Sequence, residues 1–142
     1  MSKYKVIKTE FKNGESLKKA LDEMGVKYEF GGNFRDNTVT LRTSWASYGS
    51  QNHPVVFAIQ RDEARLSGLG QMDGLGFKWT GTGYDLIEDS NHGQPQSVID
   101  KMNILRQKYA VNEIRRQARV KGYSVREQAQ TDGTIQMTLV RR

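Results

Sequence analysis

The sequence predicts an α+β fold: one domain over residues 1–142, an antiparallel sheet with two helices packed on one face, and a C-terminal β-hairpin. Three observations predict it. Helical periodicity is clear in only two stretches, Glu15–Met24 and Ser97–Lys121. The segments between them are short and rich in β-branched and aromatic residues, with glycine turns separating them. The chain, at 142 residues and 16.2 kDa, is long enough for one domain with its own core.

Lys3–Thr9 alternates and reads as a first strand. Asn13-Gly14 turns the chain into a helix over Glu15–Met24. Leu17, Ala20, Leu21 and Met24 fall at i, i+3, i+4 and i+7, and Gly25 supplies a left-handed stop. Val26–Phe30 and Thr38–Arg42 read as strands. Ser44–His53 is a polar loop carrying Trp45 and Tyr48, where Trp45 either caps the core or stacks on a partner. Pro54–Gln60 is the most apolar short run and is expected to be a central strand.

Arg61–Gly76 shows no regular period and is expected to be a mobile surface loop. Its GLGQMDGLG run invites comparison with phosphate-binding loops. The spacing is not G-x-G-x-x-G, however, and no Gly-Lys-Ser/Thr follows, so no cofactor is expected. Phe77–Thr80 and Tyr84–Glu88 flank Gly81-Thr82-Gly83 as a hairpin, with Trp79 and Tyr84 packing across it.

The long helix is predicted to open at Ser97, with Asp100 three residues later as a capping-box partner, and to stop at Gly122. Val98, Met102, Leu105 and Tyr109 share one face. Val111, Ile114 and Ala118 lie roughly opposite. The helix is therefore either kinked near Tyr109–Asn112 or sandwiched between the sheet and something else, the first helix or a second protein. Tyr123–Ala129 and Thr134–Val140 form a hairpin around Asp132-Gly133. Ile135, Met137 and Leu139 share the face expected to pack on the core.

Charge is uneven. Residues 101–142 hold ten Lys/Arg and three Asp/Glu, against twelve and thirteen before them. Lys101, Lys108, Arg115 and Arg119 fall within roughly 40° of one another on the wheel, a line about 27 Å long. Such a line suits an acidic protein face or a phosphate backbone. It also suits a plain solvated face, because Met102, Leu105 and Ile114 are core-like and no aromatic interleaves the line.

No catalytic set is visible. The chain has no cysteine, which removes thiolate chemistry and disulfides. His53 and His92 lie in loops without a second ligand at i+3 or i+4, a weak basis for metal binding. Asp85, Glu88 and Asp89 with His92 are the best that a hydrolase could use, and an acidic surface turn explains them equally well. No apolar run would span a membrane and no signal peptide is apparent, so a cytoplasmic protein is expected.

Several short motifs occur in a characteristic order: Ile7-Lys8-Thr9; Leu17, Ala20, Leu21 and Gly25; Gly76-Phe77, Trp79 and Gly81; Tyr84-Asp85-Leu86; Lys108-Tyr109-Ala110; Gly122-Tyr123-Ser124-Val125; and Asp132-Gly133-Thr134-Ile135. In these the chain resembles the family known as hypothetical chloroplast reading frame thirty-five, a domain of unknown function from plastids and cyanobacteria that also occurs in bacteria and phages. It departs from the family in longer loops around Ser44–His53 and Arg61–Leu75. The resemblance brings no catalytic residues. Genes of the family tend to lie near those of an AAA-type ATPase, a small companion protein and a ferredoxin-like protein, which implies an accessory role in an assembly. The function expected is therefore a non-enzymatic adaptor that binds another protein. The alternative is a nucleic-acid-binding module using Lys101, Lys108, Arg115, Arg119 and Trp45.

Overall fold

A computed structural model of the chain describes residues 4–8, 11–42, 52–71, 73–89 and 95–141, with the backbone alone described at 4–8 and at Asp89. Among them the elements run β1 (Tyr4–Lys8), α1 (Gly14–Glu23), β2 (Glu29–Phe30), β3 (Val39–Leu41), β4 (His53–Val55), β5 (Phe57–Ile59), α2 (Arg61–Ser67), β6 (Leu75–Trp79), β7 (Tyr84–Asp89), α3 (Gln96–Lys121), β8 (Tyr123–Ala129) and β9 (Ile135–Arg141). The class is α+β, with every pairing antiparallel and a hairpin at the C-terminal end.

The main sheet has the order β1-β7-β6-β5-β2. Its register sets Phe57 beside Phe77 and Phe77 beside Leu86, and in the next row Ala58 beside Gly76 and Gly76 beside Ile87. Successive side chains leave opposite faces of a strand, so these rows sort the sheet into two faces. Phe57, Ile59, Leu75, Phe77, Tyr84 and Leu86 turn one way, each buried. The helices meet them there through Leu17, Ala20 and Leu21 of α1, Ala64 of α2 and Met102, Leu105 and Tyr109 of α3. Each large side chain so buried contributes on the order of 1.5–3 kcal/mol.

The opposite face is covered by a ribbon of β3 and β4. The run Pro54–Gln60 is not one strand. It breaks at Val56, with β4 pairing to β3 and β5 joining the main sheet. The break hides in the sequence because Val55 to Ile59 are all buried, which erases the alternation that marks a half-buried strand. Leu41 and Val55 of the ribbon pack on Ala58 and Ile87. Gly76 makes this possible: a Cβ there would stand 2.9 Å from Val55 Cγ1 and 3.3 Å from Leu41 Cδ2.

Arg61–Gly76 is likewise more ordered than its lack of period suggests. It opens with α2, whose seven residues bury only Ala64, too few for a helical repeat to show. Gly68 ends α2 in the left-handed region at φ +79°, and Leu69 beyond it is fully buried. Gly70 and Gly74 are closely packed, since a Cβ at Gly74 would lie 2.4 Å from the Ile59 carbonyl oxygen. The glycines therefore serve backbone packing.

Helix α1 is capped by Asn13, whose Oδ1 accepts the Ser16 N–H at 3.0 Å. Helix α3 runs unbroken over 26 residues and begins one residue earlier than its sequence suggests, with Pro95 as N-cap. The Ser97–Asp100 capping box does not form. The Pro95 carbonyl accepts the Val98 and Ile99 N–H groups, and Asp100 accepts the Gln96 side-chain amide instead.

Tyr109, midway along α3, ties the layers together. Its hydroxyl accepts the backbone N–H groups of Lys12 at 2.9 Å and Asn13 at 3.1 Å, at the entrance to α1. Its ring meets Phe11 edge-on at 4.9 Å, and Phe11 meets Phe77 of the sheet at 5.6 Å. The Phe11 carbonyl accepts the Tyr84 N–H at 2.8 Å. The two helices are also joined directly: Asn112 donates to Glu23 at 2.8 Å and Ser16 to Glu113 at 2.9 Å. The hydrogen-bonded Arg116 guanidinium holds the Glu113 carboxyl below its usual range.

Tyr109→Phe should cost about 1–3 kcal/mol in urea unfolding, because it strips the acceptor from two backbone donors and leaves the ring contacts intact. Gly76→Val should cost at least about 1–3 kcal/mol, by forcing the ribbon off the sheet. Its signature would be increased amide exchange in β3 and β4 ahead of α1.

Candidate functional site

The second face of α3 is covered by part of the same chain. Gly122 turns the chain at φ +79° and the β8–β9 hairpin folds back along the helix. The lengths agree. Fifteen helical residues rise about 22 Å and a seven-residue strand spans about 23 Å, so the hairpin tip comes level with Gln107. There the Gln107 amide donates to the Gly133 carbonyl at 3.2 Å. Arg115 fixes the middle: its Nε donates to Glu127 Oε2 at 2.7 Å, a second nitrogen grips Glu127 Oε1, and Glu23 of α1 lies 3.9 Å away. Of the two explanations for the phase shift in α3, the helix is sandwiched, and the covering element is this hairpin.

The hairpin is a separate two-stranded sheet and does not add its last strand to the core. Its register puts Tyr123, Val125, Glu127, Ala129, Ile135, Met137 and Leu139 on the face that carries the Arg115 ion pair. Ser124, Arg126, Gln128, Gln136, Thr138 and Val140 alternate outward. The helix lies along β8 rather than β9. Ile135 and Leu139 consequently stay 38% and 50% exposed, and a groove of about 500 Å³ opens between Ile135 and Met137 on the hairpin and Gln107, Ala110, Val111 and Ile114 on the helix.

The cation line holds as a line, with its members in unequal states. Lys101 and Arg119 are exposed, while Lys108 and Arg115 are half-buried. Arg115 is committed to Glu127 and Glu23. No ion pair among the described residues reaches Lys101, Lys108 or Arg119. The Lys101 stem runs over Gly68, since a Cβ at Gly68 would stand 3.3 Å from its Cγ. Periodicity did not single out two exposed apolar side chains, Ile104 of α3 beside the line at 38% exposure and Leu66 at 80% on α2, the helix whose C-cap Gly68 meets the Lys101 stem. Trp45 lies outside the described residues.

Of the acidic and histidine candidates, Asp85, Glu88 and His53 have side chains among the described residues. His92 lies outside the described residues and the side chain of Asp89 is not described. His53 is on β4, on the ribbon side of the sheet. Among the described residues no group of three His, Cys, Asp or Glu side chains is placed to hold a metal ion. A second groove, of about 610 Å³, lies at the β2 edge among Lys27, Glu29, Arg42, Arg61, Asp62 and Glu63, where Arg42 pairs with Glu29 at 3.0 Å. Tyr84 has its hydroxyl pushed up to about 12 by burial and donates to the Phe34 carbonyl, a structural role.

Fold and surface together define an α+β protein in which a long helix carries a basic line on one flank and a half-open apolar hairpin on another. Residues 20–138 match the family described as "Protein of unknown function (DUF1257)". The chain is also 32% identical to the uncharacterised protein ycf35 of Guillardia theta, over 99% of this chain and 98% of that protein. The chain belongs to this family, in agreement with the resemblance in its motifs. No solved structure matches it. Among the described residues, no helix is long and apolar enough to cross a membrane.

The hydrogen-bonded Arg115 guanidinium holds the Glu127 carboxyl below the usual glutamate range. A carboxyl depressed in the folded state stabilises above its unfolded pKa and loses that contribution as pH falls through the folded value. Amide exchange in β8 and β9 should therefore rise as pH falls through and below the ordinary glutamate range, once corrected for intrinsic exchange rates. Glu127→Gln should remove that step and leave the main sheet unchanged.

Proposed function

We propose that the protein is a non-enzymatic accessory protein that binds an acidic face of another protein, with the exposed flank of α3 as the contact. The observation that carries this reading is the pairing of unneutralised cations with exposed aliphatic side chains on one flank. Lys101, Lys108 and Arg119 accompany Ile104 on α3, with Leu66 near one end. A plain solvated face would not need Leu66 and Ile104 in the open, whereas a protein interface uses apolar contact for affinity and charge for partner choice. The family context, genes near an AAA-type ATPase, makes a component of such an assembly the partner to try first. The compartment proposed is the cytoplasm.

A nucleic-acid partner is the second reading, favoured by the excess of ten Lys/Arg over three Asp/Glu in residues 101–142. Commitment of Arg115 to Glu127 leaves three members of the line for phosphates.

Pull-down of the tagged chain from host lysate, with and without nuclease, separates the two. The adaptor reading expects a stoichiometric protein partner that survives nuclease and is lost from Lys108→Glu/Arg119→Glu, with the melting temperature unchanged. Retention of that partner by the double variant would sink the proposed contact. Nucleic acid recovered with an affinity that falls tenfold or more between about 50 and 200 mM salt would favour the second reading.

A further inference from the structure

The β9 strand presents a surface that the cation line does not use. Among the described residues β9 pairs only with β8, so its other edge carries unpaired backbone N–H and C=O groups along seven residues. Ile135 to Val140 hold no charge, no proline and no glycine. Edges of this kind are normally blunted by such residues or covered, because they pair with whatever strand arrives. The adjoining apolar face is also incomplete. Helix α3 lies along β8, leaving Ile135 and Leu139 partly in water and Ile114, 39% exposed, beside the groove.

We infer that a second copy of this chain completes the sheet, with β9 pairing antiparallel to β9 about a two-fold axis at Met137. The sequence of the strand selects both occupant and register. With Met137 opposite its own counterpart, Ile135 faces Leu139 of the second copy, and Gln136 faces Thr138. Three apolar pairs then continue the inner face, and the outer one carries the two Gln136–Thr138 pairs with Val140 opposite Thr134 beyond them. Registers must move in steps that keep the faces together. The next in one direction sets Ile135 against Arg141, and the next in the other sets Leu139 against Gly133. Charge agrees as well: Asp132, in the turn before each β9, comes near Arg141 at the end of the other.

The geometry closes. Four strands about 4.8 Å apart make a sheet roughly 19 Å across, which two helices at about 8–10 Å spacing can cover. The two copies of α3 supply those helices, with Ile114 of each over the joined β9 strands. The surface is self-complementary, as a two-fold interface requires.

Sedimentation equilibrium on the full chain across a concentration series tests this. A dimer is expected. Leu139→Lys should raise its dissociation constant about a hundredfold by leaving an ammonium in the seam. Leu139 is already half in water, so the far-UV spectrum and melting of the monomer should hold. The chain has no cysteine, so Met137→Cys introduces a single thiol. It should cross-link to a disulfide dimer under mild oxidation, because directly opposed residues lie roughly 4.5–5.5 Å apart at Cα, within the range of about 4.4–6.8 Å that a disulfide spans. Gln136→Cys, opposite position 138, should cross-link far more slowly. A monomer at every concentration, a dimer that Leu139→Lys leaves intact, or equal cross-linking at 136 and 137 would each overturn the inference.

Discussion

The contact between the Tyr109 hydroxyl and the backbone of Lys12 and Asn13 joins parts of the chain almost a hundred residues apart. A buried N–H without an acceptor costs about 1–3 kcal/mol, and this hydroxyl satisfies two of them where the chain enters α1. Phe11 sits between the same ring and Phe77, so the helix layer and the sheet share one aromatic junction. The position of α3 is thereby set from its middle. Its charged flank and its hairpin-bearing flank point where they do because Tyr109 fixes which side of the helix faces inward.

From that junction the molecule is built outward in layers of decreasing burial. The helix-side core is closed, the ribbon of β3 and β4 seals the back of the sheet, and the hairpin covers one more helix face without closing it. Gly76 and Leu139 show the contrast. At Gly76 even a Cβ meets neighbours, whereas Leu139 is half exposed. Here β8 and β9 form a ribbon of their own, and a ribbon only two strands wide has room on its inner face for one helix.

Family membership adds a boundary on the chemistry. The motif residues Tyr84, Tyr109, Gly76 and Gly122 hold the fold: two act through hydroxyls that bond to backbone, and two by lacking a side chain or by taking a left-handed turn. These motif residues therefore serve the architecture of the chain. The surface proposed to bind lies elsewhere, at Lys101, Ile104, Lys108 and Arg119.

Local periodicity by itself determined the class, both long helices, the Gly25 and Gly122 stops, the β6–β7 hairpin and the Asp132-Gly133 turn. Each depends on residues within one or two turns of one another. The cation line was equally legible, since it follows from helical geometry alone. Tertiary structure decided what depends on residues distant in sequence. The split at Val56 could not be read because burial on both faces removes alternation. Helix α2 was hidden by its length, and the glycine run by the need to see which backbone each Cβ would strike. The phase shift in α3 left a kink or a covering element as alternatives, and only the folded chain shows that the hairpin covers the second face. The reason is the same in each case: a sequence records which side chains avoid water, and only the packed chain settles which neighbour excludes it.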